Sequence, residues 1–213
     1  ERFLGMHDAG RWRKIVRYLL DHQSEDGSWP IYYGGPGDLN ATIEAYFALK
    51  VAGQDPDSPP MRRAREWVLE RGGIRRARVF TKLWLALFDQ YDWDALPAMP
   101  PELILLPPGF PFNIYEFSSW ARATIVPILV VWHYRPTARL RPEEAVPELY
   151  VDPRDRRRAR YAPAERALSW RNFFLVADRV LHWWERTPLK PLRERALAEC
   201  ERWIVAHQEA DGS

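Results

Sequence analysis

A helix-end motif that occurs twice constrains the fold of this chain more than any other feature of the sequence. Residues 22–29 read HQSEDGSW, and residues 207–213 read HQEADGS. Each copy follows an apolar stretch, YLL at residues 18–20 and WIV at residues 203–205. The repetition predicts a recurring helix that ends in a tight turn, without the regular period of a solenoid. Because the second copy stops one residue before the expected tryptophan, we expect the chain to be a piece of a longer protein.

The residue types in the motif suit a structural role. Gln23 falls at the end of its helix, where an amide can donate to carbonyls that lack intrahelical partners. Gly27 is free to take the positive φ that a tight turn needs, and Trp29 is expected to fold back over the helix end. One copy alone would fit a generic helix stop beside a packing tryptophan. Gln208 and Gly212 repeat the spacing from Gln to Gly, which favours a dedicated staple that performs no chemistry.

Helical periodicity dominates the rest of the sequence, and no convincing strand alternation is present. Pro127 is expected to kink or end the fifth helix, because proline lacks a backbone donor. Residues 97–111 are expected to be irregular and to fold back over the surface, and residues 135–161 to form a long loop. Helix pairs joined by Gly- and Pro-rich turns predict an all-α fold, an α/α barrel (toroid), as one domain over residues 1–213. The predicted helices cover residues 12–20, 38–53, 59–72, 79–88, 113–127, 163–186 and 188–207.

Composition excludes several classes of function. The 31 basic and 29 acidic residues leave a net charge of +2, too small to indicate nucleic acid or another polyanion as a partner. One cysteine and five histidines show no zinc-ligand spacing, so we expect no metal and no cofactor. The longest apolar run, residues 125–132, is far shorter than the roughly 20 residues of a membrane span. No leader peptide is visible at the start.

Three stretches of the sequence are distinctive: residues 34–46 (GGPGDLNATIEAY), 78–87 (RVFTKLWLAL) and 111–124 (PFNIYEFSSWARAT). They resemble the bacterial squalene–hopene cyclases of the triterpene cyclase family. The helix-end motif is also similar to the Gln–Trp (QW) repeat of these enzymes. The resemblance implies the smaller, inserted one of two α/α barrels, which enclose a cavity where squalene is protonated and cyclised to hopene or hopanol. It also implies that the other barrel is the partner of this domain.

The resemblance implies positions for the substrate cavity and its channel. Trp120 is expected to line the cavity and contact squalene. Phe117 and Ile125 would flank the constriction of the channel that admits squalene, with Ser119 and Arg122 close by. Aromatic faces suit this chemistry, because they attract a carbocation without capturing it. Packing alone is the alternative role for Phe117.

Three further residues are implied to hold ordered water where the cascade terminates. They are Glu44, Arg78 and Trp84, and there a water molecule would take the last proton or add to the final cation. Without the resemblance, Trp84 would be assigned to the core. Glu44 lies in a mostly apolar helix, so burial and a structural ion pair with Arg78 are the alternative for these two residues.

The family's protonating acid, an Asp-x-Asp-Asp cluster, is absent from this sequence. DWDA at residues 92–95 and DPDS at residues 55–58 do not complete it. We therefore expect no catalytic residue in this chain and no cyclase activity from it alone, since the resemblance places the cluster in the other barrel.

Three other classes of function differ from the cyclase in the residues that they need. A protein prenyltransferase needs a zinc site, for which the sequence has no ligands at the required spacing. An α/α glycosidase needs paired carboxylates, which the sequence by itself does not exclude. A stand-alone isoprenoid- or lipid-binding module stays open as the alternative without catalysis.

An apolar helix near the end of the chain is expected to touch a membrane surface without spanning it. Trp170, Phe174, Leu175 and Trp183 widen its apolar surface beyond one stripe that is expected to face the core. The resemblance implies a monotopic protein at the cytoplasmic face of the cell membrane and leaves a homodimer open. An interface between barrels is the alternative for these aromatic residues. The stripe expected to face the core consists of Phe173, Val176, Ala177, Val180, Leu181 and Trp184.

Overall fold

The computed structural model describes residues 2–6, 8–110, 113–157, 164–166, 168–187 and 190–208. The chain divides into two compact units. Unit 1 comprises Glu1–Leu96 with Thr137–Arg160, and unit 2 comprises Pro97–Pro136 with Tyr161–Ser213. The described residues form α-helices and short 3-10 helices, and their only β pairing is an isolated bridge between Pro30 and Gly37. The prediction of an all-α fold is confirmed, and a single domain over residues 1–213 stays a prediction.

Unit 1 is built on four α-helices. They are α1 (Ala9–Asp21), α2 (Leu39–Val51), α3 (Pro59–Glu70) and α4 (Val79–Ala86). Aspartates begin the first two, because Asp8 and Asp38 each accept hydrogen bonds from two backbone N–H groups of the following turn. Helix α2 supplies the centre of the unit 1 core, and its neighbours pack around it. Its fully buried apolar side chains are Ile43, Tyr46 and Leu49.

Unit 2 is built on α5 (Ser119–Tyr134), α6 (Trp170–Glu185), α7 (Lys190–His207) and a 3-10 helix at Pro101–Leu105. The 3-10 helix packs against both α5 and α7. Buried side chains from these three elements and the turn before α5 form one core. The core residues are Ile104, Ile114, Val126, Leu129, Ala196 and Cys200.

Prolines interrupt the structure less than the sequence suggests. Pro127 was expected to kink or end the fifth helix, and helix α5 continues through it to Tyr134, so an end at this residue is excluded while a kink stays a prediction. Val126 and Leu129 on either side of Pro127 are fully buried, and this packing offsets the lost hydrogen bond. The stretch 97–111 was predicted to lie over the surface, yet its 3-10 helix buries Ile104, because the apolar side chains among the prolines join the core.

Two other boundaries differ from the sequence prediction. The helix expected from Pro163 begins at Trp170, where Ser169 caps it by accepting from the N–H of Asn172. The stretch 135–161 has no α-helix among its described residues after Arg135, but it contains short 3-10 helices and buries Val146 and Leu149. These two side chains make the predicted loop part of the unit 1 core.

The turn after α1 ties the end of that helix to the next two. Gly27 has a φ of 88°, as predicted. The indole N–H of Trp29 donates to the carbonyl of Leu19 at 2.8 Å, which confirms that the ring folds back over the helix end. Gln23 differs from the prediction, since its amide donates to the carbonyls of Gly27 and Pro60 and not to those of α1. The amide therefore links the turn to the start of α3.

Asp26 adds a second link from this turn to α3. Its carboxylate accepts from the hydroxyl of Ser28 at 2.6 Å and from the indole N–H of Trp67 at 2.8 Å. The hydrogen bonds from Ser28 and Trp67 lower the pKa of Asp26 although burial opposes them. The guanidinium of Arg71 lies 3.6 Å from the centre of the Trp67 ring, a cation–π contact that closes the group.

The two copies of the motif share a further contact that the sequence analysis missed. The His22 ring stacks on Tyr18 at 4.0 Å, and the His207 ring stacks on Trp203 at 3.9 Å. In each copy the imidazole Nδ1 lies 2.8 Å from the carbonyl oxygen of the residue four positions earlier. Gln208 is exposed, while Gly212 lies outside the described residues.

Gly27→Ala should destabilise the protein more than Gly53→Ala does. Both glycines have similar positive φ values, 88° and 84°, so both substitutions strain the backbone. A Cβ on Gly27 would lie 2.6 Å from Cβ of Arg63, whereas one on Gly53 meets no atom within 4 Å. We expect Gly27→Ala to lower the free energy of unfolding by about 2–4 kcal/mol and Gly53→Ala to lower it by about 1 kcal/mol. Urea titration measures both, and equal losses would contradict the close approach of the turn to α3.

A buried carboxylate joins residues from both segments of unit 1. Glu144 accepts from the Arg2 guanidinium at 2.9 Å and from the backbone N–H of Arg141 at 2.8 Å. The Arg141 side chain contacts the other carboxylate oxygen at 3.0 Å. Burial by itself would raise the pKa of Glu144, but these hydrogen bonds outweigh it and lower the pKa to about 2.

Glu144→Gln should cost about 2–3 kcal/mol at pH 7 because the ionised form makes the stronger bonds. The carboxylate of the folded protein has a pKa below the ordinary 4.5, so its contribution is complete above about pH 4.5 and is lost as the pH falls toward 2. Denaturant titrations of the parent and of Glu144→Gln between pH 2 and 7 measure the difference between their free energies of unfolding, which should shrink toward pH 2. Glu143→Gln is the matched control, since Glu143 also pairs with Arg141 but does so on the exposed surface. A constant difference across the pH range would contradict the assignment.

Candidate functional site

The polar residues predicted for the terminating end of the cavity lie in unit 1, along α2 and at the start of α4. The hydroxyl of Thr81 donates to Oε1 of Glu44 at 2.6 Å. Arg78 lies one turn earlier, where its backbone N–H donates to Asn40 and its guanidinium pairs with Asp38 at 3.1 Å. Glu44 and Arg78 thus have different partners, and Glu44 is exposed rather than buried. The alternative of a buried ion pair between Glu44 and Arg78 is therefore wrong.

The carboxylate of Asp38 holds the Arg78 guanidinium at the start of α4. Burial raises the pKa of its carboxyl, but the backbone N–H groups of Ala41 and Asn40 and the nearby guanidinium of Arg78 together lower it. The carboxylate therefore stays ionised at neutral pH and holds Arg78 while it caps α2. The same side chain fixes the start of one helix and the cation at the start of another.

Trp84 lies on α4, three residues after Thr81. Half of its surface is accessible, and it is not the core residue that periodicity alone favours. Helices α2 and α4 and the residue before α4 thus carry a carboxylate, an exposed ring and a guanidinium, which are groups that can bind water or present an aromatic face.

The residues predicted for the cavity wall and channel lie in unit 2, around the start of α5. Trp120 is 76% exposed in the first turn of the helix, and Phe117 is 43% exposed just before it. Ser119 is exposed as well. Ile125 is half-buried and packs against the unit 2 core. Two aromatic rings are thus free to meet an apolar molecule, while Ile125 lies at the edge of the core.

Two polar side chains support this region. The Arg122 guanidinium donates to the backbone carbonyls of Tyr115 and Phe117. Asn113, which the sequence analysis missed, is fully buried and bonded within the preceding loop. An asparagine at the start of an aromatic-rich turn is a typical local turn former, so this signal was available in the sequence.

Two carboxylates of α6 bind the rest of unit 2, which corrects part of the predicted orientation. Asp178 accepts from the backbone N–H of Ala98 at 2.8 Å, and Glu185 accepts from that of Met99 at 3.0 Å. Phe173, Val176 and Val180, predicted to face the core, are each more than half exposed. The prediction is wrong for these three residues, since the carboxylates on the opposite face satisfy the backbone donors there. Ala177, Leu181 and Trp184 of the same predicted stripe are half-buried.

The exposed face of α6 is therefore wider than predicted. Trp170, Phe174 and Trp183 are between 54% and 75% exposed, while Leu175 is half-buried. The rings of Phe173 and Phe174 meet edge to face with centroids 5.4 Å apart. The exposed aromatic and aliphatic side chains of this helix are Trp170, Phe173, Phe174, Val176, Val180 and Trp183.

The described residues hold no cluster of three or more His, Cys, Asp or Glu side chains arranged to bind a metal ion. Within the same ranges, no helix has both the length and the apolarity required to cross a bilayer.

Comparison with known proteins accounts for the whole chain. The family model described as the squalene–hopene cyclase N-terminal domain matches residues 1–213. The squalene–hopene cyclase of Alicyclobacillus acidocaldarius is 44% identical over 97% of this chain and 32% of its own length. That of Zymomonas mobilis is 44% identical over 90% of the chain and 29% of its own length. The dammaradiene synthase of Dryopteris crassirhizoma is 34% identical over 99% of the chain and 30% of its own length.

The chain thus spans about a third of the length of the relatives it matches. Its helical content agrees with the α/α barrel fold that the resemblance implies. The match of the family model over every residue and the level of identity point the same way. This chain belongs to the squalene–hopene cyclase family and corresponds to its N-terminal domain.

Proposed function

We propose that the complete protein cyclises squalene to hopene or hopanol through a carbocation cascade. The observation that carries the proposal is the pair of exposed rings at the start of α5, Phe117 and Trp120, in a stretch that resembles the cavity and channel of the family. The relatives named squalene–hopene cyclase support the choice of squalene as substrate.

The division of work within the protein follows from the chemistry of the described side chains. A cascade that begins by protonation needs a strong general acid. Since this sequence has no Asp-x-Asp-Asp cluster, we infer that residues 1–213 contribute wall, channel and surface, while the remaining barrel contributes the acid. Glu44, Arg78 and Trp84 would then hold water near the place where the last cation loses its proton.

Trp120 would stabilise a cationic intermediate through its ring face. A ring attracts a cation by roughly 0.5–2 kcal/mol, with the higher values in dry surroundings. The ring is 76% exposed in this chain, so it is available to face a cavity. A carboxylate in the same place would risk capture of the cation or early loss of a proton, and this makes an aromatic side chain the better group.

Trp120→Leu in the complete protein should lower kcat roughly 2- to 30-fold, or release incompletely cyclised products. Leucine keeps an apolar side chain but removes the ring face, and Trp120→Phe should fall between leucine and the parent. Product analysis by gas chromatography with mass spectrometry measures both rate and product spectrum. Residues 1–213 incubated with squalene serve as the blank and should yield no cyclic product. An unchanged rate and product spectrum in Trp120→Leu would overturn the assignment.

The exposed face of α6 would lie on a membrane surface, from which squalene enters the protein. The face combines the rings of Trp170, Phe174 and Trp183 with branched aliphatic side chains, a composition that suits the interface between head groups and acyl chains. The carboxylates of Asp178 and Glu185 are directed away from it into unit 2. We propose a peripheral, non-spanning contact at the cytoplasmic face of the membrane.

Phe174→Glu in the complete protein should weaken binding to vesicles of a zwitterionic phospholipid roughly tenfold, because a charge replaces buried apolar area. Val205→Glu is the matched control, since Val205 is 65% exposed on α7 and Phe174 is 54% exposed on α6. Co-sedimentation with the vesicles measures both affinities. Equal affinities for the two variants would contradict a membrane contact through α6.

A further inference from the structure

The aromatic turn, defined here as residues 114–117, carries Phe117 and leads directly into the helix turn of Trp120. It forms a 3-10 helix at Ile114–Glu116, and Ile114 is its one side chain in the core of unit 2. A short 3-10 helix leaves carbonyls at its end without partners. The position of Phe117 therefore depends on groups outside the turn.

Asn113 organises the entry to the aromatic turn. Its side chain is fully buried, and its amide donates to the carbonyls of Pro108 and Phe110 at 2.9 and 2.8 Å. Its carbonyl oxygen accepts from the backbone N–H of Tyr115 at 2.9 Å. One side chain thus joins the loop before the turn to the turn itself, with both ends of the amide in use.

Arg122 holds the exit of the aromatic turn. Its guanidinium donates to the carbonyl of Phe117 at 3.0 Å and to that of Tyr115 at 3.3 Å. It does so from the first turns of α5, where a cation is disfavoured by the positive end of the helix dipole. The contacts with these two carbonyls offset that unfavourable position.

The guanidinium of Arg122 is poorly suited to bind a hydrocarbon, because squalene has no hydrogen-bond acceptor. Its donors are directed to the protein's own backbone, at the residue that carries a ring of the proposed channel. We propose that Arg122 and Asn113 are positioning residues, which set the place of Phe117 and thereby the admission of squalene. This inference rests on the proposed function for its effect on turnover, but not for its effect on the turn.

A double-mutant cycle in the complete protein tests whether Arg122 acts through Phe117. The variants are Phe117→Ala, Arg122→Gln and the two combined, with KM and kcat for squalene as the readout. We expect Arg122→Gln to raise KM roughly 3- to 10-fold with little change in kcat, and the combination to be no worse than the more affected single variant. Arg195→Gln is the control, because Arg195 is exposed on α7 and its side chain makes no hydrogen bond or ion pair within the described part of the chain.

Additive effects on KM, or a KM of Arg122→Gln equal to that of the parent, would overturn the inference. Amide hydrogen exchange gives a second readout that needs no turnover. Arg122→Gln should speed exchange in residues 113–120, and Arg195→Gln should leave it unchanged. If Arg122→Gln exchanges faster but the parent does not turn over squalene, the proposed function fails and the positioning role stands. Unchanged exchange would sink the positioning role itself.

Discussion

Trp29 makes three hydrogen bonds on which the arrangement of the first helices depends. Its indole N–H donates to Leu19 near the end of α1, its backbone N–H donates to the hydroxyl of Thr42 in α2, and its carbonyl accepts from the N–H of Asp38. The ring is 96% buried, so these polar groups satisfy each other away from water. With the bonds of Gln23 to the start of α3, one turn joins three helices.

Side chains also bind the backbone at a helix end in unit 2, where the donor is a charged group. Arg193 donates to the carbonyls of Trp184 and Glu185 at the end of α6 and pairs with Glu102 at 3.0 Å. The last helical carbonyls lack partners within the helix, and a guanidinium supplies several donors at once. Helices of 8 to 18 residues are short enough for such end contacts to weigh heavily in their stability.

Local signals in the sequence predicted much of the fold. The helices of unit 1, the positive φ of Gly27 and the return of Trp29 followed from periodicity and turn chemistry. The predictions that failed concern contacts between residues far apart in the sequence. The partner of Gln23 lies 37 residues away, and the donor that turns Asp178 inward lies 80 residues away. Amphipathic periodicity finds the apolar face of α6 but cannot tell whether that face or the carboxylates meet the core. For the candidate site, the resemblance supplied the residues, and only the structure showed that Arg122 binds backbone.

The outward apolar face of α6 also changes the thermodynamics of unfolding. The heat capacity of unfolding rises with the apolar surface newly exposed to water, by about 0.45 cal/mol/K for each Å². Side chains such as Phe173 and Trp170 are already hydrated in the folded chain and add little to this quantity. The free energy of unfolding of this chain therefore varies less steeply with temperature than that of a protein of the same length and composition that buries all its apolar side chains.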